Sequence, residues 1–565
     1  MAQRRSTRGA QGFVSLSTRV ADAVEQLHLG LAVALRGERN PTALEKLLGC
    51  LRALFHAMPY EAQGNEVMLL TLLEPGEGGC GLGEILFRDI EAEARQRVAA
   101  AAIEATVALL LGSHKHPVPA VVKFVRRELL PHVFGPDQGV EGWPLDLRHT
   151  LSIIGGVFAC CPSEVQSIAH WEAHVLPGLL AAFGSRQPED RLAAIALVEH
   201  VCRADQDEQL ATTLAGWEAV ISTHLPRALK DVNAEVRAAA ATAVAEVPAS
   251  TWHCVPGQQR QMCVRSIVEV ASAAPGGSPV RMATLTALGA MALLHSFKHD
   301  AAFLEPAVPI FLAGLDDQNT AHRCRAAIAI ANTVSTHEDG TGDGPPAGSP
   351  LAPQVGDQLK RQLLEAVLRH CGDTDKVAAP ALRAVGFLVA ALGPALGAPA
   401  GRGLAGLARD LLLSSLENSA APKVQHSACS AVANIMESSL FLDLNEDAKL
   451  LRALVRAATT AASFKVRFAA ASALAAAPNL SPEISTSLFR TFAAEYLRLA
   501  SRKHAVGPAQ AKHVDKLLAA LARVAVTTAP AAPDAALLAR VRETMSEHHP
   551  ELVPKLPVQD NANDE

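Results

Sequence analysis

One short phrase recurs six times from residue 236 onward, and it limits the folds that this sequence can form. A hydrophobic anchor is followed in most copies by Arg or Gln, then by a small residue four positions after the anchor, then by an apolar run. The anchors are Val236, Val280, His322, Val377, Val424 and Val466. They are separated by 44, 42, 55, 47 and 42 residues. Repetition at such a period indicates stacked supersecondary units rather than one compact core.

The longest interval contains residues 339–356, a Gly- and Pro-rich insertion that cannot be helical. Without this insertion the period returns to about 40 residues, close to the 40–47 residues of HEAT and armadillo repeats. Weaker copies of the phrase begin at Asp190 and Leu147 and extend the pattern upstream.

Each copy predicts a pair of helices, A and B, joined by a short turn. Asp231, Asp317 and Asp373 precede the phrase, as turn or N-cap residues do. The small residue four positions after the anchor lets helix B pack closely on helix A. We expect Pro380 to lie early in its helix, where its missing N–H costs least. The predicted fold class is all-α, a right-handed α–α superhelix of the HEAT/armadillo type.

The expected domain organisation follows from which parts of the chain contain recognisable copies of the phrase. It comprises a disordered basic tail (1–18), helical repeats of uncertain register (19–135), HEAT repeats with the insertion (136–480), capping helices (481–552) and a disordered polar tail (553–565). The capping helices would cover the apolar end of the stack.

Composition favours a helical protein and argues against several classes of function. Hydrophobic residues make up 49% of the chain but aromatic residues only 4%, so the apolar content is mainly Ala, Leu and Val. A net charge of −6 gives no overall basic field, so nucleic acid is an unlikely partner. We expect no membrane span and no small-molecule substrate. The 10 cysteines form no CxxC pair, which favours a reducing, intracellular location in cytoplasm or nucleus. Arginines within residues 1–20 leave an organellar transit peptide as the alternative.

Three segments resemble one known family. DKVAAPALRAVGFLVAAL, KVQHSACSAVANIM and SFKVRFAAASALAAAP are similar to the HEAT repeat-containing protein 6 family, over roughly residues 140–480. That family has a Gly-Asn or similar pair late in helix B, matched here by Ala331-Asn332 and Ala433-Asn434. Gly386-Phe387 departs from it, since Phe stands in place of Asn. The resemblance implies an armadillo-like helical fold, no established enzymatic role and no catalytic residues.

The Arg that follows the anchor is the first candidate for a role. It occurs as Arg237, Arg281, Arg323 and Arg467. We interpret it as a structural ladder, in which each guanidinium pairs with an Asp or a loop carbonyl of an adjacent repeat and sets the rotation between repeats. A positive row for an acidic partner is the alternative.

Asn332 and Asn434 occupy equivalent places, ten residues after their anchors. Asn is unfavourable within helices because its side chain competes for backbone hydrogen bonds. Armadillo-type peptide receptors use Asn on the concave face to hold a peptide backbone, with a Trp one turn earlier. Ile328 and Ser430 occupy that earlier position here, which favours hydrogen bonds within the stack instead. Asn332, Asn434 and Phe387 are the candidate partner-binding residues.

Two histidine pairs have the spacing of metal ligands on one helix face. They are His170 with His174 and His295 with His299, the first near Glu172 and Cys160-Cys161. The HExxH order and a third ligand are missing, and no phosphate-binding loop or nucleophile elbow occurs. We therefore expect no cofactor, no metal and no catalytic residue.

These observations predict a non-enzymatic scaffold that binds other proteins on its concave surface. One alternative is a karyopherin-like transport adaptor that carries basic cargo in an acidic groove. Asp and Glu clustered on the concave face would favour the adaptor, and a neutral groove lined with Ala would count against it. The other alternative is a metal-dependent HEAT-like repeat enzyme.

Overall fold

The computed structural model describes residues 26–57, 69, 72–73, 92–112, 119–130, 147–161, 171–204, 214, 216–298, 300–335, 356–397, 401–438, 444, 447–478, 480–503, 508–530 and 534–557. Throughout these residues every regular element is a helix. The expected tail 1–18 and nearly all of the insertion 339–356 lie outside them. The prediction of an all-α HEAT/armadillo-type repeat fold is confirmed.

The chain forms two compact units, Met1–Ile267 (unit 1) and Val268–Glu565 (unit 2). Unit 1 contains α1 (Pro41–Ala57), α2 (Ala92–Gly112), α3 (Pro119–Phe124), α4 (Leu147–Cys160), α5 (Leu176–Phe183), α6 (Pro188–Ala204), α7 (Trp217–Ala219), α8 (Leu225–Leu229), α9 (Ala234–Ala245) and α10 (Ala249–Cys254). Residues 26–37 are also helical. Three π-helical turns adjoin these helices, Val125–Leu129, Trp171–Val175 and Val220–His224. Helices α1, α2, α4, α6 and α9 pack side by side in that order.

Helix α11 (Gly257–Ala273) spans the boundary. Unit 2 continues with α12 (Pro279–Met291), α13 (His295–Lys298), α14 (Ala301–Leu315), α15 (Thr320–Val334), α16 (Asp357–His370), α17 (Asp375–Gly397), α18 (Arg402–Asn418), α19 (Pro422–Ser438), α20 (Ala448–Thr460), α21 (Phe464–Ala475), α22 (Pro482–Ala500), α23 (Pro508–Thr527) and α24 (Ala535–His548). A 3₁₀ helix, Pro550–Lys555, follows. The B helices α12, α15, α17, α19, α21 and α23 pack successively, and α14, α16, α18, α20 and α22 each pack on the B helix that follows.

The recurring phrase forms the core of each helix pair. All six anchors are buried, and the small residues four positions later (Ala240, Thr284, Ala326, Ala381, Ala428 and Ala470) are fully buried. His322 is the one polar anchor, and its Nε2 lies 3.0 Å from the Ser278 carbonyl oxygen. That contact gives the buried imidazole a polar partner, which burial of a polar group requires.

The aspartates before the phrase are turn residues rather than N-caps. The N-caps of α9 and α15 are Asn233 and Asn319, whose side chains accept amide hydrogen bonds from the first helical turn. Asp231 and Asp317 lie two residues earlier and accept from the amides of those asparagines at 2.8 Å each. The carboxylates thus shape the turn, and the asparagines satisfy the free N–H groups of the helix.

Small residues set how closely the B helices approach. A Cβ placed on Gly386 of α17 would lie 2.5 Å from Ala431 Cα and 2.8 Å from Ala431 Cβ of α19. On Gly289 of α12 it would lie 3.0 Å from Ala329 Cβ of α15. Neither distance accommodates a larger side chain without moving a helix, so these positions fix the spacing between neighbouring repeats.

Pro380 does not lie in the first turn, contrary to expectation. It is the sixth residue of α17, so the Lys376 carbonyl oxygen loses its normal helical donor. The Cys324 Sγ lies 3.1 Å from that oxygen and donates to it from the neighbouring B helix. A contact between repeats therefore offsets part of the cost of an interior proline.

Helix α17 is also the most apolar long helix of the described chain. Its segment Asp375–Gly393 is, by length and composition, apolar enough to cross a membrane, and 72% of the segment is buried within the protein. Core helices of soluble proteins meet the same criterion. Gly393 then adopts φ 23°, ψ −102°, a non-helical conformation that kinks the helix.

Candidate functional site

Arg323 ties two consecutive turns of unit 2 together. Its Nε and Nη2 donate to the two carboxylate oxygens of Asp373 at 2.7 and 3.0 Å. Its Nη1 donates to the carbonyl oxygens of Asp317 and Gln318 at 3.0 and 2.9 Å. This paired geometry holds the pKa of Asp373 well below its usual range, with the Arg323 hydrogen bond as the main cause.

Arg191 of unit 1 repeats this arrangement, although sequence reasoning missed it. Its Nε and Nη2 donate to the Asp231 carboxylate at 2.6 and 2.8 Å, and its Nη1 donates to carbonyl oxygens five and six residues earlier. Burial opposes ionisation of Asp231, but hydrogen bonds from Arg191 and the Asn233 amide outweigh it and lower the pKa. The upstream phrase EDRLAAIALVEHV contained the signal.

The remaining ladder arginines use different partners. Arg237 donates to two carbonyl oxygens of its own turn, at 2.7 and 3.0 Å. Arg281 Nε lies 3.9 Å from a carboxylate oxygen of Asp317, too far for a hydrogen bond. Arg467 donates to the Ala458 carbonyl oxygen at 3.1 Å and pairs with Glu495. These arginines all contact turns or helix ends, which is where a structural role would place them.

We define the B face of unit 2 as the positions two, six and ten residues after each anchor of α12, α15, α17, α19 and α21. Its fifteen residues are Met282, Thr286, Ala290, Cys324, Ile328, Asn332, Ala379, Arg383, Phe387, His426, Ser430, Asn434, Phe468, Ser472 and Ala476. Fourteen are partly exposed, and Phe387 is buried. Spacing of four residues places these side chains on one side of each helix.

Asn332 links three successive B helices. Its Nδ2 donates to the Gly289 carbonyl oxygen of α12 at 2.9 Å, in the last turn of that helix, where carbonyls lack helical donors. Its Oδ1 accepts from Arg383 Nη2 of α17 at 2.8 Å. Both ends of this amide are therefore engaged within the repeat stack. Peptide clamping by Asn332, Asn434 and Phe387 stays a prediction.

Arg383 is the one permanently charged side chain among the fifteen B-face residues. No described carboxylate lies within ion-pair distance of its guanidinium, and burial lowers the pKa of Arg383 with no opposing contribution from an acid. Its Nε is buried without a hydrogen-bond partner. The equivalent residues of the other four helices are Thr286, Ile328, Ser430 and Ser472. Sequence reasoning missed this position, which an alignment of the repeats isolates.

Glu246, at a position of unit 1 that corresponds to the B face, has an opposite charge beside it. Arg203 of α6 lies 2.6 Å from Glu199 and 3.1 Å from Glu246, the residue ten positions after the Val236 anchor. Burial raises the pKa of Glu199, and Arg203 opposes that rise. Glu199, Arg203 and Glu246 thus each have an opposite charge beside them.

The described residues contain no group of three or more His, Cys, Asp or Glu side chains suited to a metal ion. His170 and His299, and the side chains of His174 and His295, lie outside the described part, so the metal hypothesis is not tested by them. Cys160 and Cys161 are buried with their sulfur atoms 3.5 Å apart. The hydrogen bond with Cys161, together with burial, raises the pKa of the Cys160 thiol, so Cys160 is poorly suited to act as a nucleophile.

Comparisons with known proteins leave the function of this chain open. Residues 1–72 match the family model described as a domain of unknown function, DUF4042. A crystal structure of importin beta is 14% identical, covers 93% of this chain and 69% of that chain, and has a TM-score of 0.47. Yeast importin-beta (Kap95p) is 15% identical over 90% and 68%, with a TM-score of 0.45.

A designed armadillo repeat protein in complex with the peptide (KR)4 is 17% identical over 46% of this chain and 99% of that chain, with a TM-score of 0.33. At these identities and TM-scores no function or partner carries over from these proteins. Membership of the HEAT repeat-containing protein 6 family stays a prediction.

Proposed function

We propose that this chain is a non-catalytic HEAT/armadillo-type scaffold that binds another protein across the B face of unit 2. The observation that carries the proposal is the B face itself. Its residues are mostly small or neutral polar, fourteen of the fifteen are partly exposed, and the pattern is repeated on five adjacent helices. Repeat proteins present such surfaces to extended segments of their partners.

The charge of the B face supports the scaffold over an adaptor for basic cargo. An acidic groove is the expected feature of the adaptor, but none of the fifteen B-face residues is Asp or Glu. His426 adds no charge near neutral pH, since burial and nearby Lys465 lower its pKa. A basic peptide would find no opposite charge on this surface.

Substitution of Ser430 by Trp tests the proposal, because it adds bulk at the centre of the B face. We expect proximity labelling and affinity purification with Ser430→Trp to lose partners that the unaltered protein retains. Ser414→Trp is the matched control, since Ser414 is exposed on the A helix α18. If both variants retain the same partners, binding does not use the B face.

The non-catalytic part of the proposal has its own measurement. Metal analysis of the full-length protein should find no stoichiometric zinc or iron. Bound metal that is lost on substitution of His170 and His174 would favour a metal-dependent repeat enzyme instead.

A further inference from the structure

The B face of unit 2 carries one charge that the rest of the described fold does not neutralise. Arg383 has five N–H donors, and the structure gives them a single hydrogen bond, from Nη2 to Asn332 Oδ1. The side chain is partly exposed, so its remaining donors on Nη1 and Nη2 are not sealed within the core.

Four other described arginines, at contacts between repeats, donate hydrogen bonds to acidic partners. Arg191, Arg323 and Arg409 each donate to an aspartate, and in each case the hydrogen bond raises the pKa of the arginine. Arg203 donates to Glu246 with the same result. Arg383 departs from this pattern, although removing a guanidinium from water without a partner is costly.

We propose that Arg383 binds the carboxylate of an Asp or Glu in an extended peptide segment of a partner protein that lies across the B face. This inference rests on the proposed function and adds the chemistry of the partner. Asn332 holds one edge of the guanidinium, so the free edge is oriented before the peptide arrives. A carboxylate accepts two parallel hydrogen bonds from such an edge.

The neighbouring B-face residues favour a peptide over a nucleic acid. A phosphate backbone requires several cations along its path, and the B face supplies one in fifteen residues. The net charge of −6 would also repel a polyanion. Hydroxyl side chains at Thr286, Ser430 and Ser472 instead suit the N–H and C=O groups of an extended chain.

Repeat spacing gives the expected sequence pattern of the peptide. Neighbouring helix axes lie about 8–10 Å apart, and an extended chain advances about 3.3 Å per residue. One acidic residue should therefore occupy a fixed position over α17. Further preferences should recur roughly three residues to either side, over α15 and α19.

Selection of random peptides of about ten residues, displayed on phage, against the immobilised full-length protein tests this inference. Such a length crosses about three B helices. We expect enriched peptides to share one Asp or Glu and to bind Arg383→Gln about tenfold or more weakly. Arg325→Gln is the matched control, because Arg325 is an exposed arginine on the neighbouring helix α15 and should leave affinity unchanged. Circular dichroism checks that both variants fold, and Arg383→Lys separates charge from paired geometry by restoring only part of the affinity.

The outcomes separate this inference from the proposed function. Enriched peptides that lack an acid and bind Arg383→Gln normally, but are lost with Ser430→Trp, would overturn the role of Arg383 and keep the B face as a binding surface. Peptides insensitive to both variants would overturn both proposals. Binding of labelled single-stranded RNA that depends on Arg383, without acidic peptides, would replace the peptide by a nucleic acid.

Discussion

The two units build the same kind of turn and use the face of their B helices differently. Arg191 with Asp231 in unit 1 and Arg323 with Asp373 in unit 2 have the same two-point pairing and the same carbonyl contacts. On the helix faces, however, Arg203 of unit 1 lies between two glutamates, whereas Arg383 of unit 2 has an amide alone. Both units thus share the turn, whereas Arg383 on the B face of unit 2 has no described carboxylate beside it.

The largest loss of stability should come from substitution of a glycine at a close contact between B helices. Gly386→Ala should lower the free energy of unfolding by about 2–3 kcal/mol, because its new Cβ would meet the backbone of Ala431. Gly156→Ala in unit 1 should cost about 1 kcal/mol, since its Cβ would meet the Leu110 side chain, at 3.0 Å from Cδ1 and 3.1 Å from Cβ, rather than a neighbouring backbone. Urea unfolding followed by circular dichroism measures both.

Gly406→Ala provides the control for the glycine pair. Gly406 lies on α18, and a Cβ added there would meet no atom within 4 Å. The higher helix propensity of Ala should therefore raise the free energy of unfolding by up to about 1 kcal/mol. Equal losses of unfolding free energy in Gly386→Ala and Gly156→Ala would show that the helices of the two units are packed equally tightly, contrary to this prediction.

The two turn arginines, Arg191 in unit 1 and Arg323 in unit 2, should contribute equally to stability. Arg323→Ala and Arg191→Ala should each cost about 2 kcal/mol, because each removes charge-assisted hydrogen bonds and leaves a partly buried aspartate unpaired. Differential scanning calorimetry of the two variants gives the comparison. Arg237→Ala, which removes contacts to carbonyl oxygens alone, should cost less. A negligible loss at Arg323 would indicate that the turn is held by Asp317 and Asn319 without it.

Acid should weaken the pairing of Arg323 with Asp373 in the turn of unit 2. Because the folded pKa of Asp373 is depressed, its pairing stabilises the protein above the ordinary aspartate pKa of about 4, and this contribution is lost as pH falls through the folded value. The difference in stability between the unaltered protein and Asp373→Asn should therefore be largest near neutral pH and shrink in acid. A difference that stays constant with pH would exclude ionic pairing as its cause.

The smallest loss of stability should come from breaking the ion pairs of Arg203 in unit 1. Arg203→Ala should change the free energy of unfolding by about 0.5 kcal/mol or less, because Arg203 and Glu246 are well exposed and water screens their attraction. Urea unfolding at low and at high salt measures it, and salt should reduce the effect further. A loss as large as that of Arg191→Ala would mean that the two kinds of contact are energetically equivalent.

The sequence by itself determined the helical repeat, because burial acts on each repeat locally. Every anchor and every small residue four positions later is buried, as the period of the phrase predicts. It also singled out Arg323, since Arg follows the anchor in four of the six copies, but it missed Arg191 in a weaker copy of the phrase. It placed Asp231 and Asp317 before the helices as turn or N-cap residues, and the structure shows that they are turn residues.

Only the tertiary structure decided which side chains meet across repeats. Asn332 joins Gly289 to Arg383 over 43 and 51 residues of chain, and the Cys324 thiol compensates for Pro380 across 52 residues. No local pattern encodes such contacts, because they depend on the distance and rotation between stacked helices. The same packing leaves Arg383, the one permanently charged residue of the B face, without a described carboxylate beside it.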